Sequence, residues 1–141
     1  MLKRGFTLIE ILMVVVILGA LAAMVVPRLT GRGEKAKITI AKVDIDANIA
    51  SALKLYQLDN GTFPTTTQGL EALLKKPSLS PVPLNWNGPY VEKEPVDPWG
   101  RKYQYQFPGT HEMPYDLYSI GPKENDEKGW IANWESGLHT D

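Results

Sequence analysis

The feature that most constrains this chain is an apolar run from Phe6 to Val26 that contains a single charged residue, Glu10. As a helix the run reaches about 31 Å, enough to cross a hydrocarbon core of about 30 Å. An ionised side chain inside that core costs about 2.5–3.5 kcal/mol, so an acid there usually has a partner and a function. The run therefore predicts a membrane-spanning helix whose acid is paired.

The economical partner for the acid is a positive charge at the start of the chain. Lys3 and Arg4 form a short basic leader, and cleavage after Gly5 would expose an α-amino group on Phe6 that could pair with Glu10. Two alternatives are a secretory signal peptide, because residues 20–22 offer an A-x-A cleavage site, and a membrane anchor without a role in assembly. An acid within the apolar run argues against both.

The stretch from Arg4 to Glu10, the apolar run and the proline after it resemble the N-terminal signature of the type IV pilin and pseudopilin superfamily. The resemblance implies that a prepilin peptidase cuts after Gly5 and N-methylates Phe6. It also implies that Glu10 pairs with the amine of a neighbouring subunit during filament assembly, and that the helix between Gly19 and Pro27 extends when subunits pack. A simple kink at Pro27 is the alternative.

Composition narrows the class of protein further. The chain has 141 residues, a formal net charge of −1 and no cysteine. The charge gives no sign of a nucleic-acid surface, and the lack of cysteine excludes a disulfide or a thiolate metal site. Many surface pilins close a C-terminal loop with a disulfide, so the absence of cysteine favours the secretion pseudopilins.

Beyond the apolar run, the pattern predicts a polar helix with one buried face. Apolar residues recur every three or four positions, and charged residues mark the opposite face. We expect the helix to end at Asn60-Gly61, where glycine provides a left-handed cap. The apolar positions are Ile38, Ala41, Ile45, Ile49, Ala52 and Tyr56, and the charged ones are Lys35, Lys42, Asp46 and Lys54.

The C-terminal half predicts a short helix, an ordered loop and a small sheet. Threonines at 65–67 offer an N-cap to a helix that ends near Lys76, and a proline-rich loop pinned by Trp86 and Tyr90 follows. Strands are expected at 101–107, 115–120 and 130–134, after a turn at 97–100. The fold class is α+β: a long N-terminal helix, membrane-spanning in its first half, packed against a small C-terminal antiparallel sheet, as in type IV pilins.

The aromatic and histidine residues raise a different hypothesis, a membrane-anchored enzyme or sugar-binding module. We predict instead that the four tryptophans fill the core of the small domain, since aromatic side chains bury large areas. His111 and His139 have no nucleophile or metal-ligand partner at useful spacing and are expected at the surface. The chain is therefore predicted not to be an enzyme. The tryptophans are Trp86, Trp99, Trp130 and Trp134.

Several stretches in order along the chain resemble the G-subunit major pseudopilins of type II secretion systems. They are residues 56–61, 64–66, 68–70, 88–90, 97–100, 118–121 and 133–134. The resemblance implies a leader at 1–5, a transmembrane and assembly helix at 6–26, its periplasmic continuation at 27–60 and a globular domain at 61–141. The expected protein is a single-pass subunit of the bacterial inner membrane with its C-terminal domain in the periplasm.

The implied function is that of a structural subunit of a periplasmic pseudopilus that drives export of folded proteins. The implied partners are copies of the same chain, minor pseudopilins, the inner-membrane assembly platform and prepilin peptidase, without nucleic acid. The alternative is a subunit of a surface type IV pilus or DNA-uptake filament.

The family resemblance also implies calcium in the loop between Gly121 and Asn133, and here the chain departs from the pattern. The usual aspartate positions fall near Lys123 and Trp130, which are not carboxylate ligands. The loop still offers hard oxygen donors of the type that calcium prefers. A calcium site and a solvated acidic turn therefore both remain open. The candidate ligands are Glu124, Asn125, Asp126 and Glu127.

Overall fold

The computed structural model describes residues 3–135, with positions 26–30 described as backbone only. Internal contacts divide the chain into two units, Met1–Ala36 and Lys37–Asp141, and each is described by itself. The elements are α1 (Leu8–Val43), a π-helical turn (Asp44–Asn48), α2 (Ile49–Asn60), a 3₁₀ helix (Leu70–Leu73), β1 (Gln104–Gln106), β2 (Asp116–Ser119), a second 3₁₀ helix (Glu127–Gly129) and β3 (Ile131–Ala132).

The predicted apolar stripe is the helical side of the core in the second unit. Five of its six positions are no more than 3% exposed, and Ile38 packs partly buried against them. The charged residues of the opposite face are exposed, as expected. Leu53 is also fully buried, because a core-facing helix covers a stripe wider than one row of side chains.

A π-helical turn between α1 and α2 was not predicted from the sequence. In it, the Asp44 carboxylate accepts hydrogen bonds from the Asn48 amide at 2.8 Å and from the Tyr103 hydroxyl at 2.8 Å. Burial, and then the hydrogen bond to Asp44, raises the pKa of Tyr103, so its phenol stays protonated and remains a donor. The bond ties this turn to the segment that leads into β1.

The end of α2 confirms the prediction from Asn60-Gly61. Gly61 has φ +79°, and its N–H donates to the Gln57 carbonyl at 2.7 Å, which caps the helix in the left-handed conformation.

The next helix is shorter than predicted, and its predicted cap is wrong. It is a 3₁₀ helix that ends at Leu73 rather than near Lys76, and its N-cap is Gly69 at φ +62° rather than a threonine. Thr65 instead accepts a hydrogen bond from the Gln68 N–H at 3.2 Å, within the turn before it. One short turn already buries Leu70, Ala72 and Leu73, while the two lysines beyond are exposed.

Aromatic side chains pin the proline-rich loop, as predicted. The Trp86 indole N–H donates to the Ala72 carbonyl at 2.8 Å, and the Tyr90 hydroxyl donates to the Asp59 carboxylate at 2.6 Å. The two rings also meet edge to face, with centroids 5.7 Å apart. The loop is therefore held to α2 and to the 3₁₀ helix.

The three predicted strands all form, in the antiparallel order β1-β2-β3. Tyr105 pairs with Leu117, and Ser119 pairs with Ile131. Each strand is shorter than the pattern suggested. Leu117 and Ile131 belong to the same buried cluster as the helix stripe, so the sheet covers the helix and the α+β prediction is confirmed.

The prediction that four tryptophans fill the core holds only in part, because Trp86 and Trp99 pack against the core cluster whereas Trp130 and Trp134 do not belong to it. Each of them is only partly buried, and the fully enclosed aromatic residue is Tyr56 at 2% exposed. Trp130 and Trp134 instead contact the Tyr118 ring at centroid distances of 4.8 and 5.3 Å. An indole is large enough that a small domain seldom encloses it fully.

Candidate processing and assembly site

The segment before α1 contains the predicted cleavage position. Residues 3–7 have no regular structure, and α1 begins at Leu8. The Thr7 hydroxyl accepts a hydrogen bond from the Glu10 N–H at 3.3 Å, as an N-cap side chain does. The helix therefore begins just after the Gly5–Phe6 bond, and that bond lies in exposed chain without regular structure.

Glu10 lies in the first turn of α1, at the third helical position. A carboxylate there is stabilised by the positive end of the helix dipole, by about 0.3–1 kcal/mol. The side chain is exposed, and within residues 3–135 it has no ion-pair partner. The acid is thus placed at the entrance of the apolar segment and is available to a charge outside this chain.

The chain's own fold does not explain the glycine at position 5. A methyl group built on Gly5 meets no atom within 4 Å, and the backbone there is not left-handed. Phe6 beside it is 79% exposed. Any requirement for glycine at this position therefore comes from a molecule that acts on the chain.

The apolar surface that follows is continuous and uncovered. Residues Leu8–Val25 form a helix segment with a mean hydropathy of 2.8, long and apolar enough to cross a membrane, and none of it is buried. Among the described residues of the first unit, the large side chains of this segment are 51–80% exposed. Such a surface is stable only in lipid or against other apolar helices.

The helix passes through both positions that were predicted as weak points. α1 runs from Leu8 to Val43 and therefore includes Gly19 and Pro27. A methyl group on Gly19 would meet no atom within 4 Å, so no contact in this chain requires that glycine either. Extension or kinking between Gly19 and Pro27 stays a prediction about the assembled form.

The loop between β2 and β3 contains the four candidate calcium ligands. Arg101 Nη1 donates to the Gly121 carbonyl at 3.0 Å, and Arg101 Nε lies 4.0 Å from a Glu124 carboxylate oxygen. Asp126 caps the second 3₁₀ helix, because its carboxylate accepts from the Lys128 N–H at 3.2 Å. Across residues 3–135, no three acidic or histidine side chains come together as a metal site would require.

These contacts do not fit a calcium ion. Calcium takes six to eight oxygen ligands, several of them carboxylates. Here the Gly121 carbonyl accepts from a guanidinium, Glu124 faces the same cation, and Asp126 accepts from backbone. Glu124, Asn125 and Glu127 are exposed side chains of the turn, flanked by exposed Lys123 and Lys128.

A polar cluster that was not predicted from the sequence joins Asp116, at the start of β2, to the connection between β1 and β2. Asp116 is 2% exposed and accepts from the Thr110 hydroxyl at 2.6 Å, the Thr110 N–H at 3.0 Å and His111 Nδ1 at 2.9 Å. His111 is at the surface, as predicted, but its ring stacks on Trp134 with centroids 3.9 Å apart. His139 lies outside the described residues.

Two protein families match this sequence and define its class. The prokaryotic N-terminal methylation motif matches residues 1–26, the segment that holds Gly5, Phe6 and Glu10. The family described as type II secretion system, protein G, matches residues 28–134, which is most of the remaining chain. The chain therefore belongs to the type II secretion system protein G family.

Relatives along the full length agree with this assignment. A type II secretion system core protein G of Pseudomonas aeruginosa is 57% identical over 139 residues, covering 95% of this chain and 96% of its own. Core protein G of Vibrio cholerae is 50% identical, covering 94% and 92%. That of Escherichia coli K12 is 48% identical, covering 94% and 91%. These matches support the secretion hypothesis over a surface pilus or DNA-uptake filament.

A solved structure matches the fold as well. The crystal structure of the major pseudopilin from the type 2 secretion system of enterohaemorrhagic Escherichia coli is 42% identical and superposes with a TM-score of 0.66. The match covers 78% of this chain and 96% of that one. The resemblance drawn from short sequence stretches is thus confirmed.

Proposed function

We propose that this chain is the structural subunit of the periplasmic pseudopilus of a type II secretion system, assembled through its N-terminal helix to drive export of folded proteins. The observation that carries the proposal is the placement of Glu10. It lies in the first turn of α1, as the single charged residue of the exposed apolar segment Leu8–Val25, and it closely follows Gly5, a glycine that the fold does not require. The family membership of the whole chain supports the same function.

The first step is anchoring of the precursor. Lys3 and Arg4 remain on the cytoplasmic side, in keeping with the excess of positive charge that such segments retain there. The apolar helix crosses the inner membrane once, which places the folded domain in the periplasm. The supporting observation is an uncovered apolar helix near the N-terminus, the one candidate membrane span among the described residues.

The second step is processing and pairing. Prepilin peptidase removes residues 1–5 and methylates the new amine on Phe6, which keeps its positive charge. Glu10 of one subunit then pairs with the Phe6 amine of its neighbour. At 4 Å and an effective dielectric constant of 20, the attraction is about 4 kcal/mol, and an unpaired charge in lipid is penalised. This pairing sets the register between subunits.

The partners follow from this mechanism. They are copies of the same chain in a homopolymer, the minor pseudopilins, the inner-membrane assembly platform and prepilin peptidase. We do not expect nucleic acid as a partner, since the net charge is −1. We expect no catalytic activity, because the family is one of structural pseudopilins.

The test is the substitution Glu10→Gln, which keeps the shape of the side chain and removes its charge. We expect membrane insertion and leader removal to be unchanged. The yield of sheared or overexpressed filaments should fall by about tenfold or more, since the amine of each neighbour loses its counter-charge. The measurement is quantitative immunoblotting of filament fractions against total membrane protein.

The matched control is Glu92→Gln, which removes one exposed carboxylate from the folded domain. It should assemble like the unmodified chain. Normal filament yield from the Glu10 variant would contradict the pairing, and processing failure in that variant would show that Glu10 acts on the peptidase rather than on assembly.

A further inference from the structure

We propose that the Arg101 guanidinium, rather than a bound calcium ion, is the cation that fixes the loop between β2 and β3. The loop comprises residues 120–130, and Arg101 follows the turn at 97–100. Arg101 and the loop both lie in the second unit, so this role of Arg101 does not depend on the proposed assembly mechanism.

The Arg101 backbone is held in place before its side chain reaches the loop. The Asp97 carboxylate, 3% exposed, accepts from the Trp99 N–H at 3.0 Å and from the Arg101 N–H at 2.9 Å. The Asp97 N–H in turn donates to the Arg101 carbonyl at 2.7 Å. Both backbone polar groups of Arg101 are thus fixed, so its side chain starts from a rigid turn.

The same turn is joined to the start of the loop through buried groups. The Ser119 hydroxyl donates to Asp97 at 2.7 Å, and the Gly121 N–H donates to that hydroxyl at 3.1 Å. Arg101 Nη1 completes the ring by donating to the Gly121 carbonyl at 3.0 Å. Gly121 is therefore bound on both its N–H and its carbonyl side.

The position of Gly121 determines how closely the two arms of the loop approach. Gly121 has φ +71°, and a methyl group built on it would overlap the Gly129 carbonyl oxygen. The loop can therefore close only with glycine at this position. Holding Gly121 from Arg101 holds the point where the outgoing and returning arms meet.

The Arg101 guanidinium lies beside an acidic side chain of the loop, as a cation that fixes the loop would. Arg101 is one-third exposed at 33%, and Glu124, at 70% exposed, lies 4.0 Å from its Nε. A guanidinium offers several N–H donors in a fixed plane, so one side chain serves a carbonyl and a carboxylate together. The Asp126 carboxylate accepts from the Lys128 N–H, and among the described residues no three acidic or histidine side chains come together as a calcium site would require.

The experiment uses the full chain purified in detergent, with hydrogen exchange of the peptide covering residues 120–130 as the readout. Arg101→Ala should speed exchange in this peptide about tenfold and lower the melting temperature by about 4 °C. Arg101→Lys keeps the charge but loses the planar guanidinium. Its exchange rate and melting temperature should lie between those of Arg101→Ala and those of the unmodified chain. The matched control is Lys102→Ala, which removes the neighbouring exposed cation and its 2.8 Å pair with Glu94.

The second arm tests calcium directly on the unmodified chain. We expect the melting temperature and the exchange of residues 120–130 to be the same in chelator and in millimolar calcium. A rise of several degrees with calcium would overturn the proposal. So would an exchange profile for Arg101→Ala that matches Lys102→Ala. Should Arg101→Ala fail to fold, Arg101→Lys and the calcium titration still decide.

Discussion

The two units of this chain differ in what constrains their residues: molecules outside the chain for the first unit, and internal packing for the second. In the described part of residues 1–36, the apolar side chains are exposed, the Glu10 carboxylate has no ion-pair partner, and no contact requires glycine at position 5. In residues 37–135, apolar residues form one buried cluster from the helix stripe to the sheet. The first unit is therefore shaped by molecules outside the chain, and the second by its own packing.

This contrast predicts that substitutions in the two units will affect different properties of the protein. A change in the second unit should alter the stability of the folded domain and affect assembly only through it. A change in the first unit should leave that stability unchanged and act on processing, membrane insertion or filament growth. Variants that violate this division would show that the two units depend on each other.

The largest effect is expected at Gly5, where the outcome is all or none. Gly5→Phe should block leader removal, because the resemblance makes Gly5 the residue before the cleaved bond. The fold should not change, since nothing in the chain lies within 4 Å of a side chain begun there. Mass spectrometry of the purified chain should find residues 1–5 retained.

A matched control uses another glycine of the same unit with equally open surroundings, Gly19. Gly19→Ala should be processed normally. If Gly5→Phe also loses its leader, the cleavage position proposed here is incorrect. If both variants retain it, a general insertion defect rather than the cleavage site is responsible.

The next largest effect is expected in the core, at Leu53, which is 0% exposed on α2. Leu53→Ala should destabilise the domain by about 2–5 kcal/mol, because the methyl groups are lost and a cavity remains. Leu58→Ala on the same helix, 70% exposed, should change stability by about 0.5 kcal/mol or less. Chemical denaturation followed by tryptophan fluorescence measures both, and equal losses would contradict the assigned core.

The sequence predicted the elements best where a periodic pattern or one strong local residue decides them. The helix stripe, the Gly61 cap and the turn at Asp97 follow from local rules and are confirmed. The strands were placed but overextended. β1 has three residues and β2 has four. Where each strand ends depends on its hydrogen bonds to neighbours that are distant in sequence.

Features that depend on long-range contacts were not predictable. The π-helical turn bonds to Tyr103, which lies 59 positions beyond Asp44. The tryptophans were assigned to the core from their area, but the packing leaves all four at its edge. The loop between β2 and β3 shows this most clearly: its sequence left a calcium site and a solvated acidic turn both open, and the Arg101 side chain that meets the loop comes from 20 positions before Gly121.

The buried carboxylate of Asp116, which was not predicted from the sequence, should make the stability of the folded domain depend on pH. Burial alone raises its pKa, but hydrogen bonds from Thr110 and His111 outweigh burial and lower the pKa below its ordinary value. The unfolded chain therefore binds the proton first as the pH falls. The stabilisation is complete above the unfolded pKa of about 4 and is lost as the pH falls through the lower, folded pKa.

The smallest of the three effects should follow from Asp116→Asn. This substitution keeps the shape of the side chain but replaces the carboxylate that faces the Thr110 and His111 donors with an amide. We expect a loss of about 1–3 kcal/mol at neutral pH, measured by denaturation, because a charged acceptor is replaced. The difference from the unmodified chain should shrink as the pH falls below about 4, since protonation removes the same charge there. Glu92→Gln should show no such narrowing. A difference that stays constant down to acid unfolding would mean that Asp116 contributes through its shape, so that the second unit is held in this region by packing alone.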